Sequence, residues 1–138
     1  MIAVTKRYGF PAAHVLASRE LSPEENEAIF GPCANPNGHG HNYGVEVTVT
    51  GPIDPDSGQV VPEATLDEIY QAAVAEPFSH RLLNDLEDFA TRVPTAENIA
   101  VAIHDRLASA VRRSTRARLL RVRIVETPRN SCVVGEVK

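Results

Sequence analysis

The residues that could do chemistry gather in eleven positions, Cys33-Ala34-Asn35-Pro36-Asn37-Gly38-His39-Gly40-His41-Asn42-Tyr43, which hold one of the two cysteines and two of the five histidines. Directly behind them Tyr43, Val45, Val47 and Val49 alternate with Gly44, Glu46, Thr48 and Thr50. That is the period of a half-buried β-strand. Residues i and i+2 of a strand share a face, so the imidazoles of His39 and His41 project together. Gly40 between them leaves room for something to approach the backbone. Two like-facing imidazoles are how a sheet offers nitrogen ligands to a transition metal, zinc most often. His14 follows a second candidate strand through Tyr8-Gly9-Phe10-Pro11-Ala12-Ala13. If the two strands pair, His14 reaches the same point. Three histidines with no fixed fourth ligand are the pattern of a catalytic zinc. The plainer reading is a polar turn.

Cys33 has two readings on its residues alone. As a fourth ligand it closes a structural Cys-His₃ site; as a free thiolate near a metal it is a base. A spacing of six residues to His39 does not choose between them. His80 reads as a loop histidine. Glu126 ends a strand on the apolar parity, and a buried carboxylate needs partners.

The elements that must position these groups follow from local pattern. Ile2–Phe10 reads as the first strand, with Pro11 and two alanines ending it and delivering His14. Ser22-Pro23-Glu24-Glu25 is a capping box with proline at the first helical position. Gly31 and Pro32 stop that short helix. Asn35-Pro36-Asn37-Gly38 is turn chemistry. A short strand is expected around Gln59–Val61. A second capping box, Thr65 to Glu68, opens a helix with Leu66, Ile69, Tyr70, Ala73 and Val74 on one face, ending before Pro77. Thr95 caps a longer helix whose stripe is Ile99, Ala102, Ile103, Leu107 and Val111; His104 flanks it as a structural or exposed residue. Arg118–Glu126 alternates as a strand, and Ser131–Val137 returns as the last one. The sum is an α+β domain, an antiparallel four-stranded sheet with two main helices on one face.

At 138 residues the chain is one domain, 1–138. Its formal charge of −4 argues against a general nucleic-acid binder. Arg112, Arg113, Arg116 and Arg118 read as a solvated helix end. Two cysteines are too few for a disulfide framework. With no signal peptide or long apolar run, the expected setting is cytoplasmic, with no membrane partner. Cys132 reads as packing.

The ordered set Phe-Pro-Ala-Ala-His, Cys-Ala-Asn-Pro-Asn-Gly-His-Gly-His-Asn-Tyr, Ile53-Asp54-Pro55-Asp56-Ser57-Gly58, Pro77-Phe78-Ser79-His80, Pro94-Thr95-Ala96-Glu97-Asn98 and Val125-Glu126-Thr127 resembles the 6-pyruvoyl-tetrahydropterin synthase family across nearly the whole chain. That family includes the 6-carboxy-tetrahydropterin synthases. The resemblance implies the tunnelling fold, with sheets joined into an oligomeric barrel and two trimers stacked into a homohexamer. It implies zinc on His14, His39 and His41, a pterin triphosphate as small-molecule substrate, Cys33 as catalytic base and His80 as partner acid or base. It further implies Glu126 as the anchor of the pterin, with Thr95 and Glu97 around the same ring. Without the resemblance, Thr95 is a helix cap and Glu97 a favourable first-turn charge. Five residues separate Cys33 from His39, as in the pyruvoyl-forming enzymes; the carboxy-forming ones typically have three, and a further branch has Glu for Cys. The implied activity is therefore a zinc-dependent carbon–oxygen lyase of tetrahydrobiopterin biosynthesis. The alternatives are the carboxy-forming reaction of queuosine biosynthesis and a low-activity pterin-binding or structural-zinc oligomer. One departure stands out: Ser79 occupies the place of the family's aspartate before His80.

Overall fold

The computed structural model describes residues 1–137. Four strands form one antiparallel sheet in chain order: β1 Ala3–His14, β2 His39–Thr50, β3 Arg118–Thr127 and β4 Asn130–Gly135. Helix α1, Pro23–Phe30, lies between β1 and β2. Helices α2 (Glu63–Tyr70), α3 (Glu76–Phe78) and α4 (Ala96–Ser114) lie between β2 and β3. The core sits where the alternating face of the sheet meets the helices. Val45, Val47, Val49, Val122 and Ile124 from the strands are buried against Ile99, Ile103, Leu107 and Val111 of α4. The opposite face is polar. There Glu46 lies 3.5 Å from Arg7 and 3.6 Å from Arg123, and Thr5 and Thr48 share a hydroxyl hydrogen bond. An antiparallel sheet with one packed and one wet face produces this alternation.

Four expectations are corrected. β1 does not end at Phe10; it runs through Pro11 to His14, paired with β2 residue by residue. Proline is tolerated there because β1 is an edge strand, where the missing donor faces away from the ladder. The stretch around Gln59–Val61 forms no strand. β2 already has neighbours on both sides, so Val60 and Val61 pack on the core from a loop instead. The capping box at Thr65 is not made either. The helix starts earlier, at Glu63, where Pro62 contributes the first accepting carbonyl, to Leu66 N–H.

The helical run also passes Pro77 rather than stopping before it. It widens into a π-turn at Gln71–Ala75 and closes with α3. Proline in a helix leaves the carbonyl four residues back without its donor. Here that carbonyl, Ala73, accepts from Arg106 Nη1 at 3.3 Å. The same guanidinium forks onto Asp88 at 2.8 and 2.6 Å. α4 thereby holds the end of the run that delivers Ser79 and His80.

Candidate metal centre

The pairing of β1 with β2 sets His14 directly opposite His39. His41, two residues along β2, shares that face. Their ligand nitrogens all lie within 4.8 Å of one another, and among the described residues no further His, Cys, Asp or Glu joins the group. Gly38, at φ +74, makes the left-handed turn that aims the chain into β2. Gly40 is less special than expected: a Cβ there would meet its nearest atom at an ordinary 3.7 Å.

His14 is fully buried, and its Nδ1 lies 2.8 Å from the carbonyl oxygen of Pro94. An oxygen acceptor requires the proton on Nδ1, which leaves the lone pair on Nε2. That Nε2 is 2.8 Å from His39 Nε2. Nε2 of His41 is buried with no hydrogen-bond partner. Burial is the main cause holding both His14 and His39 below the ordinary imidazole pKa, and the neighbouring imidazoles add to it. Convergent ring nitrogens, one of them buried with no hydrogen-bond partner, fit a cation in their midst. The fixing of His14 by a carbonyl is the usual outer contact of a metal-bound histidine.

The remaining candidates are arranged around this cluster at different distances. Glu126 sits at a register shift between β3 and β4: Val125 pairs with Ser131 and Thr127 with Asn130, leaving Glu126 as the extra residue. Bulges of this kind re-aim a side chain. Its Oε2 comes within 3.9 Å of His14 Nε2, and Oε1 accepts from Asn130 Nδ2 at 3.3 Å. Cys33 lies in a 3₁₀ turn, Gly31–Ala34, half-buried and not disulfide-bonded, with its carbonyl accepting from Leu16 N–H. It is outside the histidine group.

Thr95 is the cap of α4, its hydroxyl accepting from Asn98 N–H at 3.2 Å. Glu97 is exposed in the first turn of α4. Its charge and that of Glu126, after burial, raise the pKa of the Cys132 thiol, so these three share one neighbourhood.

His80 is not part of the metal group. It has φ +61, the one left-handed non-glycine among the described residues. Its N–H donates to Pro11 O at 2.7 Å, and Arg81 O accepts from Ala13 N–H at 2.9 Å. The strand that carries His14 thus also clamps the backbone of His80, while the side chain is exposed. No carboxylate is ion-paired with it among the described residues; Asp85 and Glu87 are exposed.

Sequence reasoning missed Tyr43, Asn130 and the Pro94 carbonyl as parts of this neighbourhood. Tyr43 alone had a readable signal, its place two residues beyond His41. Its ring meets those of His41 and His14 at centroid distances of 5.4 and 5.9 Å. Burial first, then the charges of Glu126 and Cys33, push its phenol above the ordinary pKa.

Residues 3–136 match the family model described as 6-pyruvoyl tetrahydropterin synthase. The human 6-pyruvoyl tetrahydrobiopterin synthase is 44% identical over 131 residues, covering 94% of this chain and 88% of that protein. The Bacillus subtilis 6-carboxy-5,6,7,8-tetrahydropterin synthase is 34% identical over 100 residues, covering 69% of this chain and 66% of its own length. The structure of the Caenorhabditis elegans 6-pyruvoyl tetrahydropterin synthase superposes with a TM-score of 0.89 at 38% identity, covering 98% of this chain and 95% of that one. With its sheet, its three-histidine centre and these relatives in agreement, the chain belongs to the 6-pyruvoyl tetrahydropterin synthase family.

Proposed function

We propose that the protein converts 7,8-dihydroneopterin triphosphate to 6-pyruvoyl-tetrahydropterin, eliminating triphosphate, with zinc on His14, His39 and His41. The observation that carries this reading is the convergence of three imidazoles, one pinned through Nδ1 by Pro94, beside the carboxylate of Glu126. A zinc ion there would supply Lewis acidity to oxygen ligands and make the adjoining C–H protons more acidic. Cys33 then takes a side-chain proton, and His80 returns or removes the second. Glu126 accepts two N–H donors of the pterin's amidine edge, a bidentate charge-assisted contact. Thr95 and Glu97 border the ring. Cys33 lies outside the histidine group, which favours base over fourth ligand.

The wet face of the sheet and its two edges support assembly into a barrel of sheets and a homohexamer. Ile2, Val4 and Val133 are exposed on the edge strands or beside them at 44, 40 and 38%. No described helix is long and apolar enough to cross a membrane, which agrees with a cytoplasmic setting. The carboxy-forming reaction is the second reading, favoured by the similarity to the Bacillus subtilis protein. The five-residue spacing between Cys33 and His39 favours the pyruvoyl product. A binding protein with little catalysis is the third, favoured by Ser79 and the unpaired His80. The test is incubation of the zinc-loaded protein with dihydroneopterin triphosphate and identification of the product. A 6-carboxy product selects the second reading. Pterin bound without turnover selects the third.

A further inference from the structure

The phenol of Tyr43 is a buried polar group that the proposed reaction does not use. Tyr43 is 1% exposed, and its hydroxyl is buried with no hydrogen-bond partner. A buried hydroxyl with nothing to bond is destabilising, so its retention asks for a cause. Its surroundings narrow what that cause is. Tyr43 follows His39 and His41 on one face of β2. Phe10, its pairing partner on β1, stacks on the ring at 5.0 Å and leaves the hydroxyl no polar neighbour on that side. His41 and His14 meet the ring at tilts of 63° and 86°. Glu126 and Cys33 are near enough for their charges to act on the phenol, yet neither accepts a hydrogen bond from it. The hydroxyl is therefore buried on a ring packed against the metal-centre histidines, with no hydrogen-bond acceptor among the described residues.

We propose that the Tyr43 hydroxyl is a donor to an oxygen atom of the ligand that completes the three-histidine centre. A donor already oriented and dry gains most when negative charge builds on the oxygen it faces. A site that donates a hydrogen bond also discriminates against ligands lacking the acceptor, because its own buried group is then left unpaired. The ligand class is an oxygen chelator, such as a vicinal diol or a hydroxy-ketone. For the pterin this assignment rests on the function proposed above; for simple oxygen chelators it does not.

The experiment compares Tyr43→Phe with Tyr70→Phe. Tyr70 also buries an unpartnered hydroxyl, but in the cluster with Tyr8, away from the histidines. Both proteins are loaded with Co(II), and acetohydroxamate binding is followed by the visible spectrum; 7,8-dihydroneopterin binding is measured on the zinc form. Tyr43→Phe is expected to keep full metal content and an equal or higher melting temperature, and to bind acetohydroxamate about tenfold more weakly. Tyr70→Phe should leave that affinity unchanged. A melting temperature lowered by several degrees in Tyr43→Phe would mean that the hydroxyl is satisfied in the free protein, by a buried water, and would overturn the proposal. Equal acetohydroxamate affinity in Tyr43→Phe, or an equal loss in both variants, would overturn it as well. Failure of the unaltered protein to bind dihydroneopterin would instead refute the pterin reading, while the acetohydroxamate arm still decides the role of Tyr43.

Discussion

Ser79→Asp tests whether this chain lacks one member of the proton-handling machinery proposed above. An imidazolium formed at His80 during turnover needs an oriented acceptor and compensating charge, and no carboxylate is ion-paired with His80 among the described residues. At about 4 Å a new carboxylate would favour the imidazolium by roughly 1 kcal/mol in water-like surroundings and about 4 kcal/mol at the effective dielectric of a protein surface. Because the His80 side chain is exposed, the lower half of that range applies. The expected gain in kcat is about five- to seventyfold. The substitution also has a cost. Ser79 is the residue that ends α3, its N–H donating to Ala75 O at 2.9 Å. A negative charge at a helix C-terminus loses about 0.3–1 kcal/mol. Turnover should therefore rise while the melting temperature falls slightly and zinc content stays constant. The assay is steady-state formation of the pterin product from dihydroneopterin triphosphate, with unfolding followed in parallel. The gain should vanish in a His80→Ala background, because the new carboxylate would have nothing to orient. A gain that survives there, or an unaltered protein already at a family-typical rate and indifferent to Ser79→Asp, refutes the reasoning.

Purified protein should carry about one zinc per chain, and the His39→Ala/His41→Ala double variant should carry none; full retention by elemental analysis would remove the site. Cys33→Ala should retain zinc and pterin binding but lose turnover, whereas Glu126→Ala should retain zinc and bind pterin more weakly; loss of zinc in Cys33→Ala would instead mark Cys33 as a ligand. The Arg106 guanidinium holds the Asp88 carboxyl below its usual range. A depressed folded pKa gives stability that is fully present above pH about 4, the unfolded value, and is lost as pH falls through the lower folded value. Asp88→Asn should therefore be destabilised at neutral pH and show a flatter loss of stability below pH about 4, read from urea midpoints.

What was legible in the sequence was local. The capping box at Ser22, the cap at Thr95, the stripe of α4 and the alternation behind Tyr43 each involve residues within a turn or a strand of one another, and each is present. The joint placement of His14 with His39 and His41 was legible as well, because it needs only that two alternating segments pair. Two of the misreadings have a common cause. Pro11 and Pro77 both signal a break locally, but an edge position excuses the first, and a π-turn with a guanidinium from a distant helix excuses the second.

The amino-acid sequence by itself determined the three-histidine group, the class of fold and the family resemblance, since residue type and spacing carry all three. Tertiary structure decided how the groups are poised. The proton position on His14 depends on the Pro94 carbonyl, eighty residues away. The aim of Glu126 depends on a bulge that exists only once β3 and β4 are in register. The clamp on His80 is made by the backbone of β1. The isolation of the Tyr43 hydroxyl is a matter of which acceptors fail to reach it. These are properties of backbone groups and enclosed space, to which every residue contributes alike, so no side-chain pattern along the chain encodes them.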